Sequence, residues 1–168
     1  MSDKKKYDFI LFGGDRVYEK GPISELSIFL KKKNYSYIVI IDKVHEKKKV
    51  DLKINLKKYL NKKKINYLII ESLSDINLKK FIKKKTIGLS INAIWKFPKK
   101  IIKLFDGKLF NYHAADLPSE RGGANISWRI LLNKKKDISI NIHKIEKDFD
   151  TGDIVKTAKV YITNKRNE

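Results

Sequence analysis

The sequence predicts an α/β fold in which a mostly parallel, open sheet is flanked by helices. Over the first two-thirds of the chain, short apolar runs alternate with amphipathic segments rich in lysine, as expected for successive βα units. The run YSYIVIID is almost continuously apolar, which is typical of a parallel strand covered on both faces. A length of 168 residues with 42% hydrophobic residues suits one compact domain.

Five apolar runs in this region indicate strands. In chain order they are YDFILFGG (7–14), YSYIVIID (35–42), INYLIIES (65–72), TIGLSI (86–91) and GKLFNYH (107–113). Four segments between them indicate helices, namely 22–34, 52–64, 75–85 and 98–105. Pro22 and Pro98 provide start signals for the first and last of these helices, and Asp75 is the expected cap of the third.

The character of the sequence changes after His113. We expect a loop to about Gly123, a helix that carries residues 128–132, a half-buried strand over 137–146, a loop over 147–153 and a last strand over 154–162. A single domain is therefore predicted for residues 1–168. Because the chain stops directly after the last strand, this domain is expected to be either minimal or truncated at its C-terminus.

Composition excludes several kinds of chemistry. The chain has no cysteine, and its three histidines, His45, His113 and His143, are too scattered in the sequence to suggest a zinc site. We therefore predict no metal. No apolar run approaches the roughly 20 residues that a membrane-spanning helix needs, so we expect a cytoplasmic protein without a membrane span.

The charge is strongly basic, with 39 Lys and Arg residues against 19 Asp and Glu residues and a formal net charge of +20. Only four of the basic residues are arginines, and the lysine runs fall at predicted helix ends, where they complement the helix dipole. Arginine, with its bidentate fork, is the usual choice for reading nucleic acid. The pattern favours a solvated lysine surface, and a site for a polyanion remains the alternative.

Two stretches carry residues suited to catalysis. In LFNYH, the period-two geometry of a strand places Asn111 and His113 on one face, at the carboxyl end where open α/β sheets bind ligands. The loop KDFDTGD supplies Asp148, Asp150 and Asp153 around a glycine turn. Either stretch alone fits a structural histidine or an ordinary polar turn. Together, an amide, an imidazole and a carboxylate would suffice for attack on a carbonyl without a covalent intermediate.

The stretches NYHAADLPSERGGANISW and DFDTGDIV resemble the folate-dependent formyltransferases, a family that includes enzymes acting on methionyl-tRNA, on glycinamide ribonucleotide and on amino sugars. The resemblance covers roughly residues 91–155. It implies a Rossmann-like, formyltransferase-type sheet and the use of 10-formyltetrahydrofolate as formyl donor. It also implies that Asn111, His113 and Asp150 form the catalytic trio, with the amide and the imidazole stabilising the oxyanion and Asp150 orienting the imidazole and helping to remove the amine proton.

The resemblance further implies a folate pocket in the loop AIWKF, which precedes the strand of Asn111. Backbone groups of this loop would bind the pterin, Ile94, Trp95 and Phe97 would line its slot beside Lys96, and Asp148 would complete the site. His143 is expected to have a supporting or substrate-side role. Without the resemblance, the same loop would be interpreted as ordinary packing.

The resemblance leaves the amine acceptor open. The segment ADLPSERGG departs from the family pattern around its proline turn, and GGDR lacks the fuller glycine-rich phosphate loop of the ribonucleotide enzymes. The resemblance implies that an enzyme acting on tRNA carries a C-terminal domain, for which we expect no room in this chain. We therefore expect a small-molecule acceptor, an amino sugar linked to a nucleotide. Methionyl-tRNA is the alternative acceptor. Another small amine, or hydrolysis of formyl-folate, is ranked third.

A different class of function also fits the composition. On the same scaffold, the chain would serve as a catalytically idle module whose lysine surface binds a polyanion. Such a module would have no need for Asn111, His113 and Asp150 together, which is why the enzymatic interpretation is preferred.

Overall fold

The structure is a computed structural model that describes residues 6–14, 21–47, 49–50, 54–123 and 137–161. It divides into two compact units, Met1–Phe110 and Asn111–Glu168. The first unit contains the strands β1 (Tyr7–Gly13), β2 (Tyr37–Asp42), β3 (Lys49–Val50), β4 (Ile54–Asn55), β5 (Tyr67–Ile70) and β6 (Ile82–Ile91), and the helices α1 (Pro22–Lys32), α2 (Leu56–Lys62) and α3 (Lys99–Leu104). Strand β7 (Leu109–Ala114) begins in the first unit, and β8 (Asp137–Lys144) and β9 (Ile154–Tyr161) lie in the second.

The sheet of the first unit confirms the predicted parallel arrangement. Its strands lie in the order β5-β2-β1-β6, and all three pairings between neighbours are parallel. The two central strands, β1 and β2, are nearly continuous runs of buried apolar residues, because helices and loops cover both faces of a parallel sheet. Phe12 of β1 packs edge-on against Phe97 and Phe105, with ring centroids 5.0 and 6.1 Å apart.

Helix α1 begins at Pro22, as predicted, because proline at the first helical position loses no hydrogen bond. The helix buries one face that contains Ile23 and Leu30, and it ends before Asn34, which adopts a left-handed conformation with φ of 58°. Helix α2 lies inside the predicted segment 52–64 but is shorter. The antiparallel pair β3-β4 precedes it and was not predicted. Residues 52 and 53, which belong to the same prediction, lie outside the described residues.

The predicted helix over 75–85 is wrong. A single 3-10 turn, Leu78–Lys80, is followed at once by strand β6, so the lysine run that suggested a helix end belongs to the strand. Hydrogen bonds to the first residue of β1 explain why this segment is extended. Tyr7 N–H donates to the carbonyl of Phe81 at 2.9 Å, and Thr86 Oγ1 donates to the carbonyl of Tyr7 at 2.6 Å. Pairing with a neighbouring strand therefore outweighs the local helix propensity of this segment.

Asp75 does not cap a helix in the structure. Its carboxylate accepts a hydrogen bond from Ser72 N–H at 2.7 Å and closes a turn after β5. The preference of Asp for turns and for helix N-termini has one cause, because the short side chain accepts from a nearby backbone N–H in both cases.

The second unit has the strand order β7-β8-β9. Strands β8 and β9 pair antiparallel, with a register irregularity between Ile142 and His143, so the sheet of the protein is mixed but mostly parallel. Burial alternates along β8 as predicted for a half-buried strand, whereas every residue of β9 is exposed. The predicted helix over 128–132 lies outside the described residues. No helix within the ranges that the structure describes has the length and apolar content to cross a membrane.

Candidate active site

Asn111 and His113 project from the same face of β7, as the alternation of side chains along a strand requires. Both side chains reach Asp150, which lies in the loop between β8 and β9. Asn111 Nδ2 donates to Asp150 Oδ1 at 3.2 Å, and His113 Nδ1 lies 3.7 Å from Asp150 Oδ2. The predicted trio is therefore brought together within the second unit.

The loop over 147–153 holds Asp150 in an uncommon backbone conformation. Asp150 has φ of 53°, in the left-handed region that Asp tolerates better than most residues. Two residues later, a Cβ on Gly152 would lie only 2.1 Å from the carbonyl oxygen of Lys144, so no side chain fits there. Lys144 N–H in turn donates to the carbonyl of Asp153 at 2.9 Å and closes the loop against β8. The glycine in DTGD is thus required by a close approach of two backbone segments.

Asp150 is the centre of a buried polar cluster, and its side chain is only 8% exposed. Besides Asn111, Oδ1 lies 3.2 Å from His143 Nε2. The second oxygen, Oδ2, accepts a hydrogen bond from Gly122 N–H at 2.8 Å. Both carboxylate oxygens therefore have two neighbours that donate or carry positive charge when protonated.

These contacts fix the charge of Asp150. Burial by itself raises the pKa of the carboxyl, but the hydrogen bonds from His143 and Gly122 and the nearby charge of His113 and His143 outweigh burial and lower the pKa from 3.8 to about 2. Asp150 is consequently an anion at every pH at which the protein would normally work. Such a weak base is suited to orient imidazoles and is poorly suited to take a proton.

His143 is almost fully buried and was predicted to have a supporting or substrate-side role. Its Nδ1 lies 2.8 Å from the carbonyl of Lys144, which can only accept, so Nδ1 carries a proton. Nε2 then has two options: unprotonated, it accepts from Asn111 Nδ2 at 3.3 Å, and protonated, it donates to Asp150. Whether His143 accepts a hydrogen bond from the Asn111 amide therefore depends on whether Nε2 carries a proton.

His113 is held from its other side by the loop after β7. Its Nε2 donates to the carbonyl of Glu120 at 3.0 Å. That carbonyl is positioned by a compact turn in which Asp116 N–H donates to Glu120 Oε2 at 2.9 Å and Ser119 Oγ donates to the carbonyl of Asp116 at 3.0 Å. Asp116, Ser119 and Glu120, which depart from the family pattern, thus form the turn whose backbone carbonyl holds the His113 ring.

Asn141 joins the three strands of the second unit behind the cluster. Its side chain is buried, Nδ2 donates to the carbonyl of Ala115 at 2.6 Å, and Oδ1 accepts from Thr157 Oγ1 at 2.6 Å. These two hydrogen bonds connect Ala115, at the start of the loop that follows β7, with strands β8 and β9. Neither role was predicted, although a buried Asn two residues before His143 on the same strand face was a usable signal.

The residues predicted to bind folate lie in two places. Four of them belong to the loop after β6 in the first unit, where Ile94 is 58% exposed, Lys96 is exposed and Phe97 is buried in the core against Phe12. The ring N–H of Trp95 is buried and has no hydrogen-bond partner among the described residues. Asp148 lies exposed in the second unit, where its carbonyl accepts from Thr151 Oγ1 at 3.1 Å. Phe97 contributes to core packing, and the role of all five residues in binding folate stays a prediction.

The arrangement of the cluster is suited to stabilise negative charge on an oxygen. It offers an amide N–H₂ and an imidazole on one strand face, and a fixed carboxylate behind them. Across the described ranges, no group of three or more His, Cys, Asp and Glu side chains has the geometry of a metal site.

Sequence reasoning missed Gly122 and the carbonyl of Glu120, because backbone groups leave no signal in residue identities.

Comparison with known proteins gives a match to a family model. The model described as formyl transferase matches residues 38–168 of this chain. The methionyl-tRNA formyltransferase of Prochlorococcus marinus (strain MIT 9312) is 29% identical over 163 residues, which are 94% of this chain and 48% of that protein. The methionyl-tRNA formyltransferase of Finegoldia magna is 36% identical over 67 residues, 40% of this chain and 21% of that protein. The chain thus spans less than half of the length of these relatives.

Solved structures confirm the fold. WlaRD, a sugar 3N-formyltransferase crystallised in the presence of dTDP and 5-N-formyl-THF, has a TM-score of 0.66 at 21% identity and is similar over 95% of this chain and 53% of that one. An N-formyltransferase from Helicobacter canadensis, in complex with folinic acid and dTDP-3-aminofucose, has a TM-score of 0.64 at 22% identity over 93% of this chain and 53% of that one.

Proposed function

Because the chain belongs to the formyl transferase family, we propose that it transfers a formyl group from 10-formyltetrahydrofolate to a primary amine. One observation carries this proposal: the anionic Asp150 contacts Asn111 at 3.2 Å and His143 at 3.2 Å, and lies 3.7 Å from His113. The amide and imidazole groups are thereby preorganised beside a fixed charge, as stabilisation of an oxyanion requires.

The donor would supply an electrophilic formyl carbon, whose bond to the folate nitrogen breaks as the amine bonds to it, while one amine proton passes to that nitrogen. The loop AIWKF in the first unit fits a flat, hydrogen-bonding ring. It presents an exposed Ile94, and the buried N–H of Trp95 lacks a partner in the described part of the chain. A buried donor without a partner costs about 1 to 3 kcal/mol, so a ligand that accepts from Trp95 would recover that free energy.

In the proposed reaction, Asn111 donates to the oxygen on which negative charge develops. Its amide carries two N–H bonds, and one of them is directed at Asp150 in the structure. The second is released when His143 is protonated at Nε2, because His143 then donates to Asp150 instead of accepting from Asn111. Asp150 thus anchors Asn111 while leaving it a donor for the substrate.

His113 would be the second donor and the group that handles the amine proton. Asp150 Oδ2 lies 3.7 Å from His113 Nδ1, on the side of the ring opposite Nε2. Nε2 is directed at the carbonyl of Glu120, so productive binding requires His113 to exchange this partner for the substrate. With a pKa of about 2, Asp150 itself is a poor proton acceptor, and its role in the proposed reaction is to orient and stabilise the imidazole.

For the acceptor, we propose a nucleotide-linked amino sugar. The similarity over 95% of this chain to a sugar formyltransferase structure supports this choice, as does the turn Asp116–Glu120, which replaces the usual residues beside His113. Methionyl-tRNA is the second candidate, and two observations favour it: the curated relatives are methionyl-tRNA formyltransferases, and the formal net charge is +20.

A comparison of acceptors tests the activity. The purified chain is incubated with 10-formyltetrahydrofolate and either a dTDP-linked amino sugar or methionyl-tRNA, and formyl transfer is followed by mass spectrometry. We expect formylation of the sugar, with a loss of about a hundredfold or more in kcat for Asn111→Ala, because one oxyanion donor is removed. Asn77→Ala is the matched control, since Asn77 is exposed and makes no side-chain cap contact.

Binding of the donor is tested separately by calorimetry with a stable 10-formyltetrahydrofolate analogue. Trp95→Phe removes only the ring N–H, and Trp95→Ala also removes the ring. We expect both variants to bind more weakly than the wild-type protein. A folded protein that binds no folate analogue would contradict formyl transfer and leave binding of polyanions as the function to examine, whereas folate binding without transfer to either amine would contradict only the choice of acceptor.

A further inference from the structure

A cavity of about 580 Å³ lies in the first unit between helices α1 and α2. It is bordered by Tyr37, the first residue of β2, and by Ile65, which precedes β5. In a parallel sheet, the starts of the strands lie at the opposite edge from their carboxyl ends, so this cavity is separate from the loop that follows β6. Its volume is within the range of small-molecule binding sites.

The wall of the cavity is unusually rich in hydroxyl groups for the buried face of a helix. Ser24 and Ser27 occupy core-facing positions of α1 where apolar residues are the norm, and Ser24 Oγ lies 3.2 Å from the hydroxyl of Tyr59 on α2. The short serine side chains leave the space that Leu or Ile would fill. The cavity therefore results from polar residue choices at positions that a purely structural helix contact would make apolar.

Ser27 supplies the second, independent sign of a ligand. It is 1% exposed, and its Oγ has no hydrogen-bond partner of normal geometry within the described ranges. Burial raises the pKa of Tyr37, and an interaction with the side chain of Ser27 partly offsets that rise. Ser27 therefore interacts with Tyr37 without forming a hydrogen bond of normal geometry. A buried hydroxyl that lacks a well-formed partner is costly, and a ligand in the cavity would satisfy it.

The lining of the cavity contains more basic than acidic residues. Lys31 and Lys32 lie at the end of α1, Lys63 lies at the end of α2, and Glu25 is the single acidic residue of the lining. Lys63 Nζ lies 5.9 Å from the centroid of the Tyr59 ring. Three lysines therefore border a cavity whose lining also contains aromatic rings and hydroxyl groups.

We propose that this cavity binds a nucleoside monophosphate. The tyrosine rings, with Ile28 and Ile65, form an apolar wall suited to a planar base. The serine and tyrosine hydroxyls suit the hydroxyl groups of a ribose, and the lysines suit a phosphate, which needs several cationic donors. The proposal is independent of formyl transfer, since none of these residues belongs to the candidate active site.

Calorimetric titration of the full chain with AMP tests the proposal, with adenosine and inorganic phosphate as separate probes. We expect a Kd for AMP on the order of 100 µM and much weaker binding of either part alone. Ser27→Leu fills the cavity and should lower the affinity for AMP at least about tenfold, and Lys31→Glu should lower it by about tenfold through charge reversal. Far-UV circular dichroism verifies that each variant is folded.

Lys79→Glu is the matched control, because Lys79 is exposed on the 3-10 turn after β5 and does not border the cavity. It changes the net charge by the same amount as Lys31→Glu and should leave the affinity within about twofold. Equal losses in Lys31→Glu and Lys79→Glu would mean that AMP responds only to the net charge, and would overturn the proposal. AMP binding that Ser27→Leu and Lys31→Glu both leave unchanged, or phosphate binding as tight as AMP binding, would overturn it as well.

Discussion

Replacing Asp150 with Asn removes the negative charge at the centre of the candidate active site while keeping the size of the side chain. The carboxyl has a pKa of about 2 in the folded protein and 3.8 as a model compound. At neutral pH this difference corresponds to about 2 kcal/mol of stability that the charged form contributes. In a chain of this length, we therefore expect Asp150→Asn to lower Tm by about 4 to 8 °C.

The dependence on pH gives a sharper test than a single melting temperature. The pKa of Asp150 is lower in the folded state, so its contribution to stability is complete above about pH 4 and is lost as the pH falls through about 2. Asp8, whose pKa is lowered to about 2 by Lys83 and Ser36, has the same sign and adds to the acid sensitivity of the wild-type protein. The difference between wild type and Asp150→Asn isolates the contribution of Asp150.

The measurement is urea denaturation followed by circular dichroism at a series of pH values between about 2 and 7. The curves of wild type and Asp150→Asn should differ by about 2 kcal/mol at pH 7 and converge towards pH 2. Asp153→Asn in the same loop is the control, because its carboxylate is exposed and forms a surface ion pair with Lys144. This variant should remain within about 0.5 kcal/mol of wild type. Parallel curves for wild type and Asp150→Asn over the whole range would refute the ion-pair explanation.

Two further substitutions test the support of the cluster. Gly152→Ala should destabilise the protein and reduce activity, because a Cβ there would lie 2.1 Å from the carbonyl oxygen of Lys144. Gly123→Ala, where a Cβ meets open space, is the control. Equal melting temperatures for the two variants would contradict the reasoning. Thr157→Val should cost about 1 to 3 kcal/mol in the free energy of unfolding by urea, since it leaves the side-chain Oδ1 of the buried Asn141 without this donor. A cost below about 0.5 kcal/mol would show that this hydrogen bond is dispensable.

Most elements of the first unit were predictable because their signals are local. The buried parallel strands β1 and β2 are continuous apolar runs, and Pro22 marks the start of α1 in the sequence itself. The segment 75–85 was mispredicted because its helical spacing is also compatible with an extended strand. The contact between Tyr7 and Phe81, residues far apart in the chain, decides between the two conformations.

The candidate site was predictable to the extent that side-chain identity and strand periodicity define it. Asn111 and His113 are two residues apart on a strand, which places them on one face whatever surrounds them. Asp150 was found through its resemblance to a family motif. The partners that set its charge, Gly122 N–H and His143 Nε2, lie 28 and 7 positions away, and their contacts depend on how the loops fold back.

The sequence by itself determined the strands and helices with strong periodicity, the family to which the chain belongs, and the residue types that make the proposed chemistry possible. These follow from patterns that extend over a few residues. Only the tertiary structure decided that the carboxylate of Asp150 is shared by Asn111, two histidines and a backbone N–H. The pKa of a buried group is set by the atoms within a few ångströms of it, and those atoms are supplied by segments that the sequence keeps apart.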